Sequence, residues 1–99
     1  MPYIVKTRRE MIDENINSLI EILQQDENGE DKEGDCNYIV SRIVAGGMKP
    51  KTGWRYKWLS RAHEVFVAAG DEFSRRLLGP YEDKAISKNG DIPEYENPF

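Results

Sequence analysis

Between Thr52 and Leu77 the apolar residues recur at steps of three and four: Trp58, Leu59, Ala62, Val65, Phe66, Ala69, Phe73 and Leu77. That is the period of one helical face, so the segment predicts a long amphipathic helix with Thr52 as its N-cap. Gly79-Pro80 predicts a kink or a stop, because proline lacks an N–H and crowds the carbonyl one turn back. Such a stripe must be covered, and a chain of 99 residues has little else to cover it with. Self-association is therefore expected alongside internal packing.

Two shorter helices are the material available. Ile12, Ile16, Leu19, Ile20 and Leu23 share one face of a helix from about Thr7 to Gln25, with Asp13 as an alternative N-cap. Asp35 is expected to cap a second helix from Cys36 to Ala45, with Cys36, Ile39, Val40, Ile43 and Val44 inward and Gly46-Gly47 as its end. Tyr81 to Lys88 predicts a further short helix closed by Asn89-Gly90. Two-residue alternation is nearly absent, with Tyr3-Ile4-Val5 the one candidate strand. The expected fold is mainly α: a small helical bundle built on one long amphipathic helix, with extended termini, in a single domain over 1–99. Residues 26–34 (DENGEDKEG) hold no apolar side chain and read as a flexible acidic loop. Residues 91–99 read as an extended tail, kept from helix by Pro93 and Pro98, with Ile92, Tyr95 and Phe99 docking near Trp54 and Trp58 of this subunit or a neighbouring one.

The net charge of −4 argues against stable binding to duplex nucleic acid. It conceals segregation: +2 over 1–12, −8 over 13–35, +5 over 36–80 and −3 over 81–99. The basic middle is either neutralised by its own flanks or offered to an anionic ligand or partner. No apolar run is long enough for a membrane span, and the opening residues do not read as a signal peptide. One cysteine, Cys36, forms no internal disulfide and fits a cytoplasmic protein.

Catalytic groups are scarce. Cys36 and His63 are the one nucleophile–base candidate, and both suit structural helix positions better. Asp71-Glu72 and Glu82-Asp83 are adjacent pairs, and neighbours on a helix do not converge. A single histidine leaves no ordinary zinc set, and Gly46-Gly47 is too short to cradle a phosphate. The expectation is no enzyme, no cofactor and no metal.

Binding chemistry is better represented. Residues 49–61 (KPKTGWRYKWLSR) interleave cations with aromatics, and Trp54, Arg55, Lys57 and Trp58 are candidate contacts for stacking and charge pairing. Arg55 and Lys57 fall at a helix N-terminus, where the dipole disfavours cations. A second constellation joins Asn37, Tyr38 and Arg42 on the second helix to Arg75, Arg76 and Tyr81 around Pro80, a set able to hold a small anion. The plainer alternative pairs Arg75 and Arg76 with Asp71, Glu72 or Glu82.

Five short segments form a set along the chain: Met1-Pro2-Tyr3-Ile4, Gly34-Asp35-Cys36-Asn37-Tyr38-Ile39, Arg75-Arg76, Pro80-Tyr81-Glu82-Asp83 and Asn89-Gly90-Asp91-Ile92. In order and spacing the set resembles a family of short uncharacterised proteins of bacteriophages and prokaryotes. The chain departs from it in the acidic insert 26–33 and in the tail beyond Ile92. The resemblance implies a phage-type accessory protein in the host cell cytoplasm, with no agreed activity and no catalytic residues to carry over. The first expectation is a non-catalytic protein that binds a host protein as a helical homo-oligomer, in a counter-defence role. The alternative is sequestration of a small anionic signal such as a cyclic nucleotide. A lesser one, motivated by the acids of 13–35, is a decoy for a nucleic-acid-binding protein.

Overall fold

A computed structural model of the chain describes residues 2–25 and 31–99. The chain is mainly α, with no strand among the described residues, and falls in the expected class, a small helical bundle on one long amphipathic helix. The helices are α1 (Lys6–Gln24), α2 (Lys32–Gly47), α3 (Tyr56–Phe73), α4 (Gly79–Asn89) and the single turn α5 (Pro93–Glu96). A π-helical turn, Ser74–Leu78, links α3 to α4, so that 34 residues run as one joined helix. Internal packing divides the chain into two compact units, Met1–Val65 and Phe66–Phe99.

In the first unit α1 meets α2. Leu19 and Leu23 are half-buried, as are Cys36 and Ile39, whereas Ile12, Ile16, Ile20, Val40 and Ile43 remain exposed. Among the described residues only Val44 and Ala62 are buried, at 8% and 7% exposure. The apolar stripes read from the sequence are present as helix faces, but most of their side chains have not found cover. The charge order of α1 also opposes its dipole: Lys6, Arg8 and Arg9 open the helix and no basic residue lies in its last turn. Arg9 turns back to donate from Nε to the Ile4 carbonyl at 2.8 Å. Residues 3–5 stay outside the helix without forming the candidate strand, and Asp13 lies inside α1 rather than capping it.

Several boundaries differ from the sequence expectation. The helix α2 begins at Lys32, so Asp35 sits in its first turn instead of capping it. Lys32, Glu33 and Gly34 are therefore helical rather than loop; the remainder of the expected acidic loop, except Asp31, lies outside the described residues. Gly46 and Gly47 continue α2, which ends where Met48 donates its N–H to the Val44 carbonyl at 3.0 Å. Two glycines cost a helix roughly 1 kcal/mol each against alanine, a penalty weaker than the stop imposed by Pro50 beyond. Thr52 does not cap α3. A turn closed by Gly53 N–H to the Pro50 carbonyl at 3.0 Å, with Gly53 at φ 97°, delays the start to Tyr56.

The second unit explains why Pro80 does not end the helix. Gly79 donates its N–H to the carbonyl of Ser74, five residues back. Widening the turn this way moves the carbonyl that a regular helix would drive into the proline ring. Pro80 then sits in the first turn of α4, where a missing N–H is tolerated best. The helix closes as expected at Asn89-Gly90, with Gly90 at φ 87° and its N–H bonded to the Ile86 carbonyl at 2.7 Å. The tail is not wholly extended. Asp91 Oδ1 accepts the Ile92 N–H at 2.8 Å, and Pro93 opens a helical turn through Glu96. Proline at a first helical position promotes a turn, which is the reverse of the effect expected of Pro93. Ile92, Tyr95 and Phe99 are all exposed within their own unit.

Candidate functional site

Residues four apart on a helix share a face, and α2 places Tyr38 and Arg42 in that relation. Arg42 donates from Nη1 to the Tyr38 hydroxyl at 2.9 Å, and its guanidinium carbon lies 5.7 Å from the ring centroid. These two, with Ser41, Ala45 and Gly46, line an open groove of about 430 Å³. Gly46 leaves the far end without a side chain, and nothing stands within 4 Å of where its Cβ would be. Arg42 has N–H donors beyond the one given to Tyr38, so the groove offers one cation, two hydroxyls and an aromatic face. Asn37 is exposed on the same helix and does not line it.

A second cluster opens α3. Trp58 is half-buried, and two cations flank its indole: Lys57 Nζ at 5.6 Å and the Arg61 guanidinium at 5.1 Å from the ring centroid. Both distances fall within cation–π range. Trp54 is half-buried just before the helix, while Arg55 and Tyr56 are exposed. The Arg55 carbonyl accepts the first helical bonds, from Trp58 and Leu59 at 2.9 and 3.0 Å. Trp54 and Trp58 thus give the helix start a half-buried apolar base, and Lys57 and Arg61 lie against the Trp58 ring.

The remaining candidates belong to the second unit. Arg75 forms a two-point contact with Glu72, Nη2 to Oε1 at 2.5 Å and Nε to Oε2 at 3.4 Å. This is the plainer alternative for Arg75, an ion pair one helical turn long. Arg76 and Tyr81 are exposed. Of the sequence-derived anion set, Asn37, Tyr38 and Arg42 belong to the first unit and Arg75, Arg76 and Tyr81 to the second. Three contributors were not singled out from the sequence as site residues: Ser41, Ala45 and Gly46. Their steps of three, seven and eight from Tyr38 were the signal available.

Among the described residues no three of His, Cys, Asp and Glu gather as a metal set, and no helix is long and apolar enough to cross a membrane. Cys36 is half-buried on α2 and His63 is exposed on α3.

Residues 1–92 match the family model described as Domain of unknown function (DUF6899), and the chain belongs to that family. The match ends at Ile92, the last residue of the Asn89-Gly90-Asp91-Ile92 segment. No curated protein and no solved structure matches the chain.

Proposed function

We propose that this chain is a non-catalytic binding protein of the phage accessory kind. It acts in the host cytoplasm by occupying a host protein, and it does so as a helical oligomer. The observation that carries this reading is the exposed apolar surface: along α1, α3 and α4 large aliphatic and aromatic side chains face outward, while only Val44 and Ala62 are buried among the described residues. Contiguous apolar surface on this scale marks interaction faces. The basic and aromatic opening of α3 supplies the polar margin and the tryptophan and arginine anchors that interfaces favour. Affinity capture from host cells tests the reading, with wild type compared against Trp58→Ala carrying Arg61→Ala. A protein retained by the wild type and lost by the variant, with equal helicity in both, supports it. Equal retention by both overturns the assignment to this surface.

A second reading rests on the Tyr38–Arg42 groove. Arg42 and the two hydroxyls suit a small anionic nucleotide, and the Tyr38 ring suits its base. A thermal-shift screen with cyclic nucleotides decides between the readings. Ligand at 100-fold over its Kd stabilises by about 2.7 kcal/mol, and Arg42→Ala removes that shift if the groove is the site.

A further inference from the structure

From Cys36 to His63 every charged side chain is a cation: Arg42, Lys49, Lys51, Arg55, Lys57 and Arg61, with Asp35 and Glu64 the nearest acids along the chain. All six belong to the first unit and all six are exposed. Apart from the Arg42 contact with Tyr38, none of their side chains makes a hydrogen bond or ion pair among the described residues. Lys57 and Arg61 gain the Trp58 ring; Lys49, Lys51 and Arg55 have no such contact. The helix α3 carries no acid in its first turn, and Arg55 and Lys57 set positive charge against the positive end of its dipole. Repulsion among the five cations of residues 49–61 adds to that cost. Local rules broken without a gain to the fold point to a bound anion.

The rings of the segment narrow the choice of anion. A single-stranded nucleic acid is held by stacking successive bases on free aromatic faces. Here Trp54 and Trp58 are half-buried, and Trp58 already carries Lys57 and Arg61 at 5.6 and 5.1 Å from its centroid. Of the three rings in residues 49–61 only Tyr56, at 84%, is exposed. One ring among five cations suits carboxylates that flank an apolar side chain, which is the composition of an acidic peptide. Tyrosine and arginine are also the residues on which protein interfaces concentrate their energy. The patch is short as well. The helix rises about 8 Å from Tyr56 to Arg61, and one turn beyond Arg61 it meets Glu64, so a long polyanion would run on to a like charge.

We infer that residues 49–61 receive a short acidic segment of the bound protein, its carboxylates paired with Lys49, Lys51, Arg55, Lys57 and Arg61 and an apolar side chain set on Tyr56. The inference rests on the host-protein reading above and deepens it by naming the chemistry of what is bound.

The test uses the full chain and a fluorescein-labelled peptide of glutamate and aspartate around one phenylalanine, followed by anisotropy. The peptide binds at low salt, and salt at about 1 M, where the Debye length is about 3 Å, removes most of the affinity. Its amide counterpart, with glutamine and asparagine at every acidic position, does not bind. Lys51→Glu with Arg55→Glu, both at exposed positions, weakens binding about 10-fold or more at unchanged helicity. Failure of the acidic peptide to bind overturns the inference, as does equal binding of its amide counterpart, and neither result depends on the folding of a variant. Tighter binding of an oligothymidylate than of the acidic peptide also overturns it and assigns the surface to nucleic acid. Capture from host cells separates this inference from the reading beneath it. A protein lost by Trp58→Ala with Arg61→Ala but fully retained by Lys51→Glu with Arg55→Glu leaves the host-protein reading standing and overturns the acidic partner. Peptide binding with no protein captured overturns the host-protein reading and leaves the chemistry of the patch supported.

Discussion

The amide of Gly79 bonds to the carbonyl of Ser74, and this one five-residue closure lets a helix pass a proline without breaking. A Cβ on Gly79 would stand 3.2 Å from the same carbonyl oxygen, so the turn has no room to tighten around a larger residue.

Pro80→Ala restores the N–H and removes the ring, which is the reason for the wide turn. The helix should then regain regular bonding and become more stable by about 1–3 kcal/mol. The same change lets Tyr81 and Ala85 drift from the face of Phe73. Circular dichroism melts should rise; a melt that is unchanged or lower would show that the proline ring is not what holds the turn wide.

The Glu72–Arg75 pair has good geometry but a mostly exposed guanidinium. Exposed pairs of this spacing contribute about 0.3–0.5 kcal/mol. Glu72→Gln should cost no more than that in a denaturant melt, and the difference should vanish in high salt.

Val44 is the larger of the two buried side chains. Val44→Ala should destabilise the first unit by about 1–2 kcal/mol. Ile43→Ala, one residue away on an exposed position, should cost well under 1 kcal/mol in a monomer. If urea melts give the two substitutions equal costs, the Ile43 face is covered in solution.

Truncation after Ile92 removes Tyr95 and Phe99, both exposed. The melting temperature should change by less than about 2 °C and tryptophan emission should keep its maximum. A large drop in Tm would mean that the tail is seated on another copy.

The helix faces were legible because period outlasts detail: Ile12 to Leu23 and Trp58 to Leu77 lie where their spacing put them. Boundaries were less so, because local rules compete. Gly46-Gly47 marks the end of α2 to within two residues, although both glycines are taken into its last turn without the left-handed closure, and Thr52 is a fair cap displaced by the Pro50–Gly53 turn. Of the two outcomes expected of Gly79-Pro80, a kink or a stop, the stop is avoided because the chain closes a wider turn there. In the candidate site, Tyr38 with Arg42 and Arg75 with Glu72 follow from helix spacing alone. The division of the chain at Val65 and Phe66 has no counterpart in composition or glycine content, since it falls inside an unbroken apolar stripe.

The scarcity of buried side chains has a consequence for the chain's lifetime in a cell. Helices whose backbone bonds face water open locally at little cost, and proteolysis follows the population of opened molecules. Copies engaged with a partner are withdrawn from that population, and idle copies are not. With only Val44 and Ala62 buried among the described residues, a copy held by a partner of the kind proposed above would outlast an idle one under proteolysis.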